Sequence, residues 1–502
     1  MMMNSLDTHA LLTQGRQITL PAAMEVRLTA SPEKVETLEL LQTFRFLPGR
    51  RLVALVRWKE RLVVMKLFFS RRRWTKHLAR ETASIGQLVN AGLPTPALLG
   101  SGRCVDGRSG FMLLEYLDNG ESVQLRWERS TGELRESLLR DVVTLIARCH
   151  NAGLLQKDLH LDNFLLQAGA LQLLDADTVE RHAGNSEGVD KVKALHNLGL
   201  FFAQFPLSND VHVPALYAHY RALRPELQLS ADAEVLTPIL YTKRMARLKL
   251  ILNKLTRETT ANVCVHDWSH FLIFRRALNT DGWRAFIANP DAAMQGGVML
   301  KDGNSTTVMR LCIDGRDVVV KRYNSKSLWH QLKRLFYSTR AWRSWRNAHM
   351  LEMLGIATPA PLLMLEQRSG PVRGMSWFVT DYVDGIEVKK LLQEKSADSA
   401  VWQQTMAQFR ELFVGLGEYA IVHGDTKATN FLSAAGRLTV LDLDAMRQET
   451  DSGRYRRARS RDLKRFVRNF DKNPQQWNAV KAMIAQLCKD TNFDIFKKDK
   501  GK

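Results

Sequence analysis

Residues 153–179 read GLLQKDLHLDNFLLQAGALQLLDADTV, and residues 420–446 read AIVHGDTKATNFLSAAGRLTVLDLDAM. In both, an Asp is followed five residues later by an Asn, and twelve residues after that by a second Asp. The triplets are Asp158, Asn163, Asp175 and Asp425, Asn430, Asp442. Each sits in the same frame of apolar residues, a polar loop, Asn-Phe-Leu, a Gly turn, an apolar strand and the second Asp. One such spacing arises easily by chance. Two with matching flanks point to an internal repeat.

The upstream halves repeat as well. VVMKLFF and VVVKRYN place Lys66 and Lys321 at the ends of β-branched, strand-like runs. AGLPTPALL and LGIATPAPLL follow, each preceded by a helical stretch, and each copy then has an apolar run ending in an acid, Glu115 or Asp381. The Gly, Pro, Asn and Asp residues between Asn279 and Gly297 mark a boundary. The expected organisation is an N-terminal extension over 1–34, a first domain over 35–278 and a second over 290–502. Helices are expected to dominate from Leu195 to Arg276.

The chain of 502 residues is 45% hydrophobic and 25% charged, the profile of a folded protein of several domains. No apolar run approaches the eighteen or so residues of a membrane span, and the N-terminus has no signal-peptide pattern, so a cytoplasmic location is expected. The five cysteines are odd in number and scattered, which suits reduced thiols better than a disulfide framework. Cys264, His266 and His270 lack a fourth ligand at metal spacing and are read as ordinary helix residues. The net charge of +20 points to a polyanionic partner.

Phosphoryl transfer to a hydroxyl needs a positioned nucleophile, neutralised phosphates and metal ions that screen developing charge. The first Asp of each triplet suits the acceptor hydroxyl. The Asn and second Asp suit Mg²⁺, a hard cation that favours oxygen ligands. The strand Lys suits the phosphates. Together these residues resemble the protein-kinase-like signature, which implies an α+β fold of two tandem bilobal domains. The motifs QKDLHLDNFLL and VHGDTKATNFL, with DAD and DLD, resemble small-molecule and sugar kinases most. The stretch SLWHQLKRLFYSTRAWRSWRNAHMLEMLGIATPAPL resembles the bacterial lipopolysaccharide core kinase family (heptose and 3-deoxy-octulosonic acid kinases). That resemblance implies ATP- and Mg²⁺-dependent transfer to a sugar hydroxyl of the lipopolysaccharide core, with a lipid A–core intermediate as partner.

On this pattern Asp158 and Asp425 are catalytic, Asn163, Asp175, Asn430 and Asp442 hold metal, and Lys66, Glu81, Lys321 and Gly303 hold nucleotide. The copies depart from the template differently. Glu81 is placed to partner Lys66, whereas counting to the same point in copy two lands on Ser344. Copy two has His423 before its Asp and Asp462 on the following helix; copy one has Gln156 and, by count, Ala194. One copy could therefore be a non-catalytic partner that regulates or positions the other, and the alternative acceptor is a protein or another small molecule. The phosphate-covering loop is weak, with Gly303 in copy two and only Gly49 in copy one, either of which could be a plain hairpin turn.

Arg454–Arg468 holds eight basic residues and one acid. It reads as a solvated helix face or as a cationic acceptor site for a sugar that already bears phosphates or carboxylates. Lys326–Arg346 interleaves basic and aromatic residues, which suits peripheral contact with the anionic inner membrane or packing on its own lobe. Nucleic acid is not expected as a partner.

Overall fold

The structure, a computed structural model, describes residues 4–70, 73–182, 188–303, 305–324, 338–393 and 395–491. The chain forms two compact units, Met1–Gln204 with Asn209–Arg244, and Phe205–Ser208 with Met245–Lys502.

In the first unit, β1 (Asn4–Ser5), β2 (Ala22–Leu28), β3 (Ser31–Leu47), β4 (Arg51–Trp58), β5 (Arg61–Phe68), β6 (Leu98–Cys104) and β7 (Gly110–Glu115) run in the order β1-β2-β3-β4-β5-β7-β6. β2 also pairs with β6, so β2 to β7 close on themselves. Side chains alternate along a strand. In β5 this sends Val63, Met65 and Leu67 into the sheet's apolar core and leaves Lys66 on the other face. The rest of the unit is mostly helical, with short strands β8 (Glu121–Ser122), β9 (Leu154–Gln156), β10 (Phe164–Gln167), β11 (Ala170–Leu173) and β12 (Val179–Arg181). The first 34 residues, expected as an extension, thus supply β1, β2 and the start of β3.

The second unit repeats the plan. Its sheet holds β13 (Asn262–His266), β14 (His270–Arg275), β15 (Val298–Gly303), β16 (Thr306–Ile313), β17 (Arg316–Tyr323), β18 (Pro361–Ser369) and β19 (Val372–Asp381), in the order β13-β14-β18-β19-β17-β16-β15. Each lysine strand lies between its preceding strand and the one that ends in an acid. Lys66 stands opposite Val53 and Met112, and Lys321 opposite Val308 and Phe378. Val318 and Val320 enter the core beneath β17, and Lys321 faces the other way.

Helices dominate from residue 195 to Lys254, but the end of the span expected to be mainly helical is strand, and the main part of the second unit begins at Met245, before the boundary expected near residue 278. Residues 262–275 form a hairpin whose second strand pairs with β18, beside which β2 has its counterpart in the first unit. Asp267 Oδ1 accepts from the backbone N–H groups of Ser269 and His270 at 2.8 and 2.9 Å and closes the turn. Cys264, His266 and His270 are consequently strand residues. Among the described residues, no group of three or more His, Cys, Asp and Glu gathers as a metal site. None of the described helices is long and apolar enough to cross a membrane.

Ile273 on β14 is fully buried. Ile273→Ala is expected to cost roughly 2–5 kcal/mol. Calorimetry should show the transition of the second unit lowered and that of the first unchanged; an unaltered scan contradicts the hairpin's place in the second sheet.

Candidate active site

In the first unit, Lys66 Nζ forms an ion pair with Glu81 Oε1 from the helix Trp74–Asn90 and lies 3.6 Å from Asp175 Oδ1. Arg51 reaches Glu81 at 3.5 Å and Asp177 at 3.7 Å, and Arg80 also pairs with Asp177. Three cations and three carboxylates therefore share one partly buried edge. Burial pushes the Glu81 carboxyl above its ordinary range while Lys66 pulls the other way. Burial also works against Asp175, but Lys66 and Arg51 more than offset it and hold its pKa below the usual value.

In the second unit, Lys321 Nζ donates to Asp442 Oδ1 at 2.6 Å. The helix position that holds Glu81 in copy one is Ser344 here, buried and hydrogen-bonded at 2.9 Å to the Tyr323 hydroxyl. Burial alone would lower the pKa of Lys321, yet Tyr323 and Asp442 bring it above the ordinary value. Burial works against Asp442 as well, and Lys321 outweighs it, leaving that carboxyl below the usual range. Arg340 anchors the second acid of DLD. Its Nε donates to Asp444 at 2.5 Å, and its Nη1 reaches Thr306 Oγ1 at 3.0 Å.

The loops that carry the triplets are built alike. Asn163 Nδ2 donates to the Asp158 carbonyl at 2.7 Å, and Asn430 Nδ2 to the Asp425 carbonyl at 2.9 Å. Leu174 N–H and Leu441 N–H donate to the carbonyls of Asn163 and Asn430, both at 2.8 Å. These bonds bring each Asp, Asn and second Asp of the sequence pattern together. The repeated Thr-Pro turn gains a role: the hydroxyls of Thr95 and Thr358 donate to the carbonyls of Leu173 and Val440, both at 2.9 Å. Asn347 in copy two holds the carbonyls of Leu443 and Met446, and Ser84 in copy one holds Val179.

The support behind each loop differs. In copy two, Asp462 on the helix Ser452–Arg468 accepts from His423 N–H at 2.8 Å and from Gly424 N–H at 3.0 Å. His423 Nε2 meets the Leu441 carbonyl at 3.0 Å, and burial holds the imidazole below its ordinary pKa. Gly424 has φ +82°, and a Cβ there would lie 2.8 Å from the Ala445 carbonyl oxygen; only glycine suits that close approach.

Copy one supports its loop through Asn197, not Ala194. Asn197 Nδ2 donates to the Gln156 carbonyl at 2.9 Å. The pairing of Asn197 with Asp462 is fixed by a second correspondence. Gln204 bonds the Leu159 carbonyl and Leu161 N–H, as Asn469 bonds the Thr426 carbonyl and Ala428 N–H. From the second Asp to this position the connection is two residues longer in copy one than in copy two, so a count carried over from copy two falls short of Asn197. Asn197 Oδ1 meets His150 Nε2 at 2.9 Å, and His150 Nδ1 meets the Tyr220 hydroxyl at 2.7 Å.

Asp158 lies 3.2 Å from His160 Nε2. Asp425 is flanked by Arg465 Nε at 2.9 Å and Lys427 Nζ at 3.6 Å. Gly49 and Gly303 sit at the β3–β4 and β15–β16 turns. Gly49 has φ +67° with nothing near its missing Cβ, as in a plain hairpin turn. Of the basic-aromatic stretch Lys326–Arg346, residues 326–337 lie outside the described residues. Trp345 is fully buried in the core and Trp342 packs on Phe271 at 5.6 Å, so these two aromatics are packing residues.

The donor set fits a hard cation. Among the described residues the amide oxygens of Asn163 and Asn430 have no protein partner, and each shares its loop framework with a carboxylate held ionised.

The model of the lipopolysaccharide kinase (Kdo/WaaP) family matches residues 62–210 and 295–487, together more than half of the chain. A solved structure of the PknI kinase domain of Mycobacterium tuberculosis, in a point-mutant form, is similar over 40% of this chain and 86% of that one, at 16% identity and a TM-score of 0.26. Nothing among the curated proteins matches the chain.

His150 is fully buried, and burial lowers its pKa to about 4 from an ordinary value of about 6.5. A histidine kept neutral by the fold binds fewer protons than in the unfolded chain. Stability is therefore complete above pH 6.5 and falls as pH drops towards 4, by on the order of 3 kcal/mol. Denaturant titrations across this range should show that loss in the first unit, and His150→Gln should flatten the dependence.

Proposed function

Because the chain belongs to the lipopolysaccharide kinase (Kdo/WaaP) family, we propose that it transfers the γ-phosphoryl group of ATP to a sugar hydroxyl of the lipopolysaccharide core. Its acceptor is a lipid A–core intermediate at the cytoplasmic face of the inner membrane. The observation that carries this reading is the ion pair of each strand lysine with the Asp that follows the Asn loop, made once by Lys66 and Asp175 and again by Lys321 and Asp442.

Each copy is read as bilobal, with ATP between the sheet and the helical part. The first domain, drawn over 35–278, gains β1 and β2 and gives up β13 and β14 to the second, drawn over 290–502. Asp158 or Asp425 takes the hydroxyl proton as the acceptor oxygen bonds to the γ-phosphorus and the bond from that phosphorus to the ADP oxygen breaks. Lys66 and Lys321 steady the phosphates, and Glu81 fixes Lys66. Asn163 with Asp175, and Asn430 with Asp442, would hold Mg²⁺, which supplies charge screening on the phosphates when bound.

A second reading, in which copy one positions the reaction and does not perform it, is favoured by one contrast. The loop of copy two rests on a carboxylate that accepts two backbone N–H groups, whereas that of copy one rests on the neutral amide of Asn197. Charge-assisted hydrogen bonds hold a loop more firmly than neutral ones.

Mass spectrometry of the core from cells with and without the gene tests both readings. The core should lose one phosphate without the gene, and wild type should restore it. Asp425→Asn should fail to restore it, with activity down roughly 10²- to 10⁴-fold. If Asp158→Asn restores it fully, copy one is a partner and not a catalyst. An unchanged core in every strain refutes the lipopolysaccharide acceptor.

A further inference from the structure

The helix Ser452–Arg468 presents two faces. Leu463, Phe466 and Asp462 are buried. Arg461, Lys464, Arg465 and Arg468 are exposed and stand at i, i+3, i+4 and i+7, which is one stripe of a helix. The stripe lines a cavity of about 340 Å³, which Gly424 and Arg447 also line. Five cations thus surround one concave space. The single acid lining it, Asp462, already bonds His423 N–H and Gly424 N–H.

The charges in this cavity are not balanced from within. Arg447 is paired with Glu449 at 2.5 Å, and Arg465 Nε lies beside Asp425 Oδ1 at 2.9 Å. Arg461, Lys464 and Arg468 have no carboxylate partner among the described residues. Like charges at i, i+3 and i+4 repel, so the helix carries this stripe at some cost to itself. A solvated face would explain exposed cations. It does not explain a concave wall one of whose cations, Arg465, also reaches the candidate catalytic Asp425. Copy one lacks the feature: with Asn197 set on Asp462, the positions of Arg461, Lys464, Arg465 and Arg468 hold His196, Gly199, Leu200 and Ala203.

We propose that this cavity is an anion subsite of copy two, which takes a phosphate group already carried by the acceptor, next to the hydroxyl that is phosphorylated. The proposal rests on the kinase reading of copy two. Phosphate presents several charged oxygens, and guanidinium groups match them with forked N–H donors. Arg465 links the two tasks. A phosphate in the cavity gives Arg465 a second partner and loosens its hold on the Asp425 carboxylate, which is then available to the acceptor hydroxyl. Arg465 is on this account a positioning residue for Asp425.

Titration calorimetry of the full chain with inorganic phosphate, after saturation with Mg²⁺ and a non-hydrolysable ATP analogue, tests the subsite. Wild type should bind phosphate, and Arg461→Gln with Arg468→Gln should weaken it by about tenfold. Arg461→Lys with Arg468→Lys should retain most of the affinity, and all three proteins should bind the ATP analogue equally. Equal phosphate binding by wild type and the Gln variant, or none by wild type, overturns the subsite. Flotation with phosphatidylcholine vesicles containing phosphatidylglycerol separates the other source of phosphate. A variant that loses vesicle binding while keeping phosphate affinity makes the stripe a membrane contact and overturns the proposal. If the analogue fails to bind while the phosphate difference persists, the anion subsite stands and the kinase reading falls.

Discussion

A lysine amine and a carboxylate, both largely withdrawn from water, must find each other or leave a buried charge uncompensated. In each unit that constraint ties the sheet to the loop behind the Asn. Lys66 reaches Asp175 from β5, and Lys321 reaches Asp442 from β17. The strand supplies the lysine on the face away from its own apolar core, and the Thr-Pro turn pins the short strand that delivers the Asp. Much of the remaining architecture serves to hold these two ends at ion-pair distance. Asp442 takes a left-handed backbone, φ 56° and ψ 61°, a region that residues other than glycine visit uncommonly and that Asp tolerates better than most.

The two copies meet the same constraint by different means. Copy one surrounds its lysine with Glu81, Asp175 and, through Arg51, Asp177, a network that spreads the charge over several groups. Among the described residues copy two gives its lysine one ion pair, with Asp442, and has a Ser344–Tyr323 hydrogen bond where copy one has the helix carboxylate. The strengths reverse at the loop, where copy two has His423, Gly424 and the Asp462 carboxylate, and copy one has Gln156 and the Asn197 amide. One unit is thus the better built around the lysine and the other around the proposed acceptor-binding Asp.

Much of this was legible in the sequence because the repeat shows it twice. Lys321 and Asp442 are 121 residues apart, yet the second copy of the spacing links them without any contact information. Glu81 was legible because it lies one helix away from Lys66. Features that depend on chain length in a loop were not. Asn197 escaped notice because the connection before it is two residues longer than in copy two. The hairpin 262–275 escaped because its defining partner, β18, lies some ninety residues onward, and because the break between units falls inside one continuous helix, Thr237–Lys254, with no turn residues to mark it. Arg340 reaches Asp444 across 104 residues, and no local pattern announces such a pair.

The central claim is that one phosphate-transfer set is built twice, and nucleotide binding tests it most directly. Calorimetry of the full chain with a non-hydrolysable ATP analogue should give Mg²⁺-dependent binding that Asp175→Asn and Asp442→Asn each reduce and that only the double variant abolishes. Binding untouched by either change, or independent of Mg²⁺, would contradict the account.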